Sequence, residues 1–200
     1  MRSLALVSLA TICLAMAACT TDGTLTYAPT SAAVISIAPT PVIASVTSLD
    51  QRKESSKRLA TIMGGYGNPL KILDTTSPVS DEVAKVFAQA LEQRGLLRGG
   101  VAAPYRMKLI VHRFDADQYL NAGARTNIDM QILDQSGRIV YRDSAQTSNA
   151  RLQLFKSGIF ASITELQQMA QDVLDAAVDR LVDKFAFRAA VQGAVPKPVS

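Results

Sequence analysis

The sequence contains no tryptophan, one histidine and two cysteines among its 200 residues. A Ser-His-Asp triad would have to use His112, and a Gly-x-Ser-x-Gly motif is absent. Zinc sites with one histidine and no cysteine ligand are rare. Without tryptophan, the usual aromatic platform for stacking sugar rings is missing. The composition therefore gives little support to acyl-transfer enzymes, zinc enzymes or carbohydrate hydrolases.

Long runs of one charge are also absent. The 21 basic and 17 acidic residues are scattered, and no basic stripe is interleaved with aromatic residues, which argues against nucleic-acid binding. The glycine-rich stretch 64–67 lacks the lysine of a P-loop and precedes Asn68 and Pro69 rather than a helix start, so it predicts a hairpin turn. We expect no cofactor, no metal site and no nucleic-acid partner.

The first 18 residues have the pattern of a secretory signal peptide. Arg2 precedes an uncharged apolar run, Leu4 to Ala18, which is shorter than the roughly 20 residues of a spanning helix. The end of this run and the next residue, Met16-Ala17-Ala18-Cys19, resemble the bacterial lipobox. A soluble secreted protein with an incidental cysteine is the alternative.

The lipobox resemblance implies that Cys19 is acylated on sulfur, becomes the new N-terminus after cleavage and is then acylated on its amino group. Several acyl chains, at about 0.8 kcal/mol per buried CH2, give effectively permanent membrane attachment. Cys13 would be removed with the leader, which leaves Cys19 as the only cysteine and excludes an intramolecular disulfide.

The residue after the cysteine predicts which membrane holds the chain. By resemblance to sorted lipoproteins of Gram-negative bacteria, an aspartate at this position favours the inner membrane, whereas this chain has Thr20. We therefore expect attachment to the outer membrane, with the domain facing the periplasm.

Composition divides the mature chain into three parts. Residues 19–41 carry one charge and three prolines, which predicts a lipidated cysteine followed by a flexible tether. Residues 42–190 predict a single α+β domain, and residues 191–200 a disordered tail. An edge strand at 32–38 is the alternative for part of the tether.

Hydrophobic periodicity predicts the elements of the domain. It indicates a strand at 42–49, a hairpin around the glycine-rich turn, and a helix with Ser77 as N-cap and Gly95 after its end. Two alternating strands, a turn at 134–137 and a returning strand follow. A capping box at 162–165 opens a long amphipathic helix that continues to Phe185. We expect an α+β fold with a small, mostly antiparallel sheet of about 4–6 strands, covered on one face by two amphipathic helices.

Asp115 and Asp117 are the strongest candidates for catalysis. On one strand face they would lie about 7 Å apart, a separation that loosely suits glycosidase carboxylates. Strict alternation puts His112 on the polar strand face with Arg106 and Lys108, and puts Asp115 on the opposite face. We therefore predict a solvated histidine and solvated acids, and no catalytic residues.

Four short sequences resemble the YajG-like family of bacterial envelope lipoproteins over residues 42–188. They are DQR (50–52), ALEQRGL (90–96), MKLIV (107–111) and ILDQSGRIVYR (132–142). Auxiliary lipoproteins of ABC-type lipid transporters have a similar layout. The resemblance supplies no catalytic residues and transfers one functional position, Cys19.

The expected function is that of an outer-membrane-anchored periplasmic lipoprotein, a non-enzymatic binding or assembly accessory with an envelope protein partner. The first alternative is an auxiliary subunit of an ABC-type lipid-transport or export complex. The second is a periplasmic hydrolase of cell-wall glycans that uses Asp115 and Asp117.

Overall fold

A computed structural model describes residues 19–30, 38, 40–98, 102–119, 121–152 and 162–192. The predicted leader, residues 153–161 and most of the alternative strand at 32–38 lie outside these ranges. The described strands are β1 (Cys19–Gly23), β2 (Ile43–Asp50), β3 (Arg58–Met63), β4 (Pro69–Thr75), β5 (Tyr105–Gln118), β6 (Asn121–Leu133) and β7 (Ile139–Leu152). The helices are α1 (Val79–Gln93), α2 (Ile163–Val182) and α3 (Phe185–Gln192).

The strands form one mixed sheet in the order β1-β4-β3-β5-β6-β7, with β2 beside β5. The α+β class is confirmed, but the predicted sheet of 4–6 mostly antiparallel strands under two helices is wrong in detail. The described residues form seven strands and three helices, and three of the six strand pairings are parallel. β2 and β3 both run parallel to β5 and lie end to end along it. Parallel pairing requires a long crossover connection, to which α1 contributes between β4 and β5.

A buried arginine organises the gap between β2 and β3. The Arg52 side chain is fully buried, and its Nε and Nη2 donate to Asp50 at 3.1 and 2.9 Å. Its Nη1 donates to the carbonyl oxygens of Arg58 and Phe114 at 2.9 and 3.2 Å. Buried carbonyl groups need donors, and here the guanidinium supplies them where the strand ladder is interrupted. The DQR sequence is therefore structural.

The helices cover one face of the sheet with apolar stripes. In α1, Pro78 occupies the N-cap position without a side-chain cap, so the predicted Ser77 cap is wrong and the helix starts at Val79. Gly95 has φ of 67° just after the helix, which confirms the predicted left-handed end. The core side chains at helical spacing in α1 are Val79, Val83, Val86, Phe87, Ala90 and Leu91.

The second long helix begins as predicted but ends early. Ser162 Oγ accepts from the Glu165 N–H at 3.3 Å, which confirms the cap. The prediction of one helix reaching Phe185 is wrong, because α2 ends at Val182 and α3 follows. Phe185 is 85% exposed, whereas Phe187 is buried with its ring centroid 6.0 Å from that of Tyr141.

The segment predicted as a tether is partly built into the domain. β1 pairs parallel with β4 at the outer side of the sheet, and residues 24–30, the N-terminal strap, run along α2. Leu25 and Tyr27 are buried in the core. Hydrogen bonds link Thr24 O to Gln167 Nε2 at 3.1 Å and Thr30 N to Asp179 Oδ2 at 2.9 Å. The strap polar groups find partners on the helix, so residues 19–30 lie against the domain rather than free of it. At the other end, Val191 is buried in α3, and residues 193–200 of the predicted tail lie outside the described ranges.

A buried ionic cluster fastens the strap and both long helices together. Arg94 is fully buried at the end of α1 and donates to Asp183 at 2.7 and 2.5 Å and to Asp179 at 2.9 Å. The Tyr27 ring lies 5.3 Å from the guanidinium carbon, and its hydroxyl donates to Asp179. Burial raises the pKa of Tyr27 above its usual range, so the phenol stays protonated as a donor.

Beside this cluster, Asp175 is held by neutral donors. It is buried and accepts from Gln171 Nε2 at 2.9 Å and from the Ala28 N–H at 3.4 Å. Burial raises its pKa to about 7, against the lowering effect of these hydrogen bonds, and the charges of Asp179 and Asp172 raise it further.

We expect Arg94→Leu to lower the free energy of unfolding by about 3–5 kcal/mol, because it leaves buried carboxylates without their cation. Urea denaturation followed by circular dichroism measures this. Arg138→Leu is the control, since that side chain is 78% exposed, and it should change stability by less than about 0.5 kcal/mol. Equal effects of the two substitutions would contradict the role assigned to Arg94.

Asp175 should make stability depend on pH. Its folded pKa of about 7 lies above the unfolded value of 3.8, so the folded state binds the proton more tightly. The stabilising contribution is complete below about pH 4 and is lost as pH rises through 7, with a slope approaching about 1.4 kcal/mol per pH unit. Asp175→Asn should remove this slope and be more stable than the parent chain at pH 8. Parallel pH profiles of the two proteins in urea melts would refute the assignment.

Candidate functional site

The face of the sheet opposite the helices is polar along its three long strands. Burial alternates along β5 and β6, because one side of each strand packs on the core and the other does not. We call the outer side the open face. Its polar members are Arg106, Lys108, His112, Arg113, Asp115 and Asp117 on β5, Arg125, Asn127, Asp129 and Gln131 on β6, and Arg142, Ser144, Gln146 and Ser148 on β7.

A β-bulge in β5 changes which side chains share this face. Val111 pairs with Ile128 and Arg113 pairs with Asn127, so His112 is an extra residue in the ladder. The extra residue shifts the alternation by one. The prediction that His112 and Asp115 lie on opposite faces of the strand is therefore wrong, and both lie on the open face. His112 Nε2 lies 3.1 Å from Asp129 Oδ2, and the His112 side chain is half-buried.

The two candidate acids are held by two arginines. Arg113 Nε donates to Asp115 Oδ1 at 2.6 Å, and Arg125 Nη2 donates to Asp115 Oδ2 at 3.1 Å. Arg125 Nη2 also contacts Asp117 Oδ2. Burial raises the pKa of Asp117, and the charge of Arg125 opposes this rise. The acids are members of an ionic network on the sheet surface and do not converge in a deep pocket, as the hydrolase hypothesis requires.

A cavity of about 290 Å³ adjoins this network. Its walls combine two guanidinium groups with amide and hydroxyl side chains, from Arg113, Arg125, Thr126, Asn127, Gln146, Thr147 and Ser148. Arg125 Nε is buried and has no hydrogen-bond partner among the described residues. An unsatisfied buried donor costs about 1–3 kcal/mol. Because its walls supply guanidinium, amide and hydroxyl groups, the cavity suits a polar, oxygen-rich group.

A second groove of about 500 Å³ lies between β2 and α1. Its lining residues are Val46, Thr47, Ser48, Asp81, Ala84, Lys85 and Ala88. Small residues on the outer side of α1, Ala84 and Ala88, are the sequence signal that could have located this groove. It offers an apolar floor beside a strand, with one acid and one base at its rim.

The predicted lipidation site lies at the margin of the sheet. Cys19 is the first residue of β1, and its backbone pairs with Lys71 of β4. β1 is the outermost strand on this side of the sheet. Cys19 is therefore distant in the sheet order from the open face of β5 to β7, and the two features form separate sites.

In the described part of the chain, no group of three or more His, Cys, Asp or Glu side chains is placed to hold a metal ion. Over the same ranges, none of the helices has the length and apolar character needed to span a membrane.

Comparison with known proteins finds distant structural likeness only. No family model and no curated sequence matches the chain. A DUF330 family protein from Xanthomonas campestris is 13% identical, with 87% of this chain and 96% of that protein aligned and a TM-score of 0.47. PelC from Paraburkholderia phytofirmans, crystallised as a dodecamer, is 14% identical over 72% of this chain and 90% of its own, with a TM-score of 0.41. A minor lipoprotein from Acinetobacter baumannii is 13% identical over 80% of this chain and 100% of its own, with a TM-score of 0.32. The YajG-like resemblance stays a prediction.

Arg125 should control the protonation of Asp117. We expect Arg125→Met to raise the pKa of Asp117 further, because the substitution removes the charge that opposes the effect of burial. Carboxyl NMR titration measures the change directly. Arg142→Met on the same face, which lies opposite Gln131, is the matched control and should leave Asp117 unaltered. An unchanged Asp117 titration in both variants would show that the network does not form.

Proposed function

We propose that the chain is a lipoprotein of the outer membrane, acylated at Cys19, whose domain faces the periplasm and acts as a non-enzymatic binding or assembly accessory. One observation carries the proposal: Cys19, the residue that the lipobox resemblance makes the mature N-terminus, lies in the outermost strand on its side of the sheet. Because β1 is the outermost strand, an acyl chain at this residue enters a bilayer without crossing the domain.

The open face is the proposed contact surface for an envelope protein. It presents five arginine or lysine side chains and three aspartates on three paired strands. Several of these charges are already paired, which limits their contribution to affinity but favours register and specificity. Arg113 and Arg125, with their amide and hydroxyl neighbours around the cavity, offer donors and acceptors to a polar partner.

The arginine contacts of the two candidate acids support a non-enzymatic role. Asp115 and Asp117 are both bound by arginine, and the one histidine of the chain contacts Asp129 rather than either of them. A glycosidase needs one carboxyl group held as an acid and another free to act as base or nucleophile. The paired arrangement therefore favours binding over hydrolysis.

The second candidate function is an auxiliary subunit of a lipid-transport or export complex. The groove between β2 and α1 favours it, because Val46, Ala84 and Ala88 give that groove an apolar floor. A peptide strand from a transporter component, added beside β2, would fill such a groove by main-chain pairing.

Cys19→Ser should abolish labelling by an alkynyl palmitate analogue in a Gram-negative host and move the protein from the membrane to the soluble fraction. Cys13→Ser is the matched control, since that residue belongs to the predicted leader, and it should keep both the label and the membrane location. Persistent labelling of Cys19→Ser would exclude this residue as the acylation site.

Thr20→Asp tests the choice of membrane. Thr20 is exposed, so the substitution should not disturb the fold. The acylated variant should then band with the inner membrane in a sucrose gradient, whereas the parent chain bands with the outer membrane. A parent chain found in the inner membrane would contradict the proposed location.

A further inference from the structure

The strand register places three features at one end of the sheet. Cys19 pairs with Lys71, two residues after the start of β4, and β4 is preceded by the β3–β4 turn at 64–68. Gln118, the last residue of β5, pairs with Ile62 of β3 and with Ala122 of β6, so the β5–β6 turn lies beside the β3–β4 turn. We call this the proximal end of the sheet. The predicted acylation site and both turns therefore share one edge of the domain.

Two exposed tyrosines mark the proximal end. Tyr66, in the β3–β4 turn, is 101% exposed, and Tyr119, at the β5–β6 turn, is 46% exposed. The Tyr119 hydroxyl donates to the Gly65 carbonyl at 3.0 Å, which ties the two turns together. Tyrosine combines an apolar ring with a polar hydroxyl and is enriched where membrane proteins meet the lipid headgroups.

The opposite end of the sheet has a different chemistry. Its β6–β7 turn, residues 134–138, contains an ion pair between Asp134 and Arg138 at 3.1 Å. The sequences around the two proximal turns, GGYGNPL and QYLNA, contain no charged residue. Charged groups are costly to desolvate, whereas uncharged turns with exposed aromatic rings cost less. The turns at the two ends thus differ in charge, a property that affects contact with a bilayer.

We infer that the proximal end rests on the headgroup layer of the membrane, with Tyr66 and Tyr119 at the lipid interface. The inference rests on the proposed acylation of Cys19. Cys19 pairs with Lys71, which is two residues from the first residue of β4, or about 7 Å at about 3.3 Å per strand residue. Amphipathic groups enter the interface to depths of about 5–10 Å. The docked strand β1 therefore brings the tyrosine-bearing turns within reach of the lipid.

This arrangement fixes the orientation of the domain. The strands run away from the membrane, the β6–β7 turn lies at the opposite end of the sheet, and the open face and the groove beside β2 stand at the sides. Both proposed contact surfaces then remain available to a partner while the acyl chains stay in the bilayer.

A single-tryptophan reporter tests the inference, because the chain contains no tryptophan of its own. Acylated full-length protein carrying Tyr66→Trp is reconstituted into vesicles of phosphatidylethanolamine and phosphatidylglycerol. We expect its emission to shift to shorter wavelength on reconstitution and to be quenched by phospholipids brominated near the headgroup. Ser136→Trp is the matched control in the exposed β6–β7 turn, and it should show neither change.

The outcomes separate the two proposals. Intact-mass measurement first establishes whether the reconstituted protein carries acyl chains at Cys19, and an unmodified residue would refute the proposed function. With acylation present, an unshifted and unquenched Tyr66→Trp would overturn the orientation alone. Equal quenching of Tyr66→Trp and Ser136→Trp would also overturn it, because it would mean that the two ends contact lipid alike.

Discussion

The arrangement of this domain depends on one buried guanidinium. Arg94 ends α1, and its donors reach Asp179 and Asp183 on and just after α2, while the Tyr27 ring of the strap packs on it. The two long helices and the N-terminal strap therefore share one buried ionic cluster. Removing one partner of this cluster would leave an uncompensated buried charge, so the cluster holds the two helices and the strap in one arrangement.

Holding the strap in place also determines where β1 lies. The strap follows β1 directly, and its buried Leu25 and Tyr27 hold it along α2. β1 itself contributes exposed threonines and an exposed aspartate, so its pairing with β4 depends on main-chain hydrogen bonds and on the anchoring of the strap. The position of the proposed lipid anchor is thus a consequence of core packing more than 150 residues further along the chain.

Sequence periodicity predicted the elements whose burial repeats regularly, such as the alternation of β5 and β6 and the stripe of α2. It missed β1, because CTTDG is short and polar. It also missed the parallel pairings, because local periodicity does not determine which distant strands pair or in which direction. The extra residue at His112 inverted the predicted face of Asp115. Periodicity did not single out Arg94, since a charged residue just after a helix is ordinarily solvated and its acidic partners are almost 90 positions away.

The contact between Tyr27 and Asp179 also constrains the order in which the chain acquires its structure. It joins residues 152 positions apart, so loop closure must enclose nearly the whole domain before the contact forms. The strap therefore cannot make this contact until the part of the chain around Asp179, which is synthesised much later, is in place.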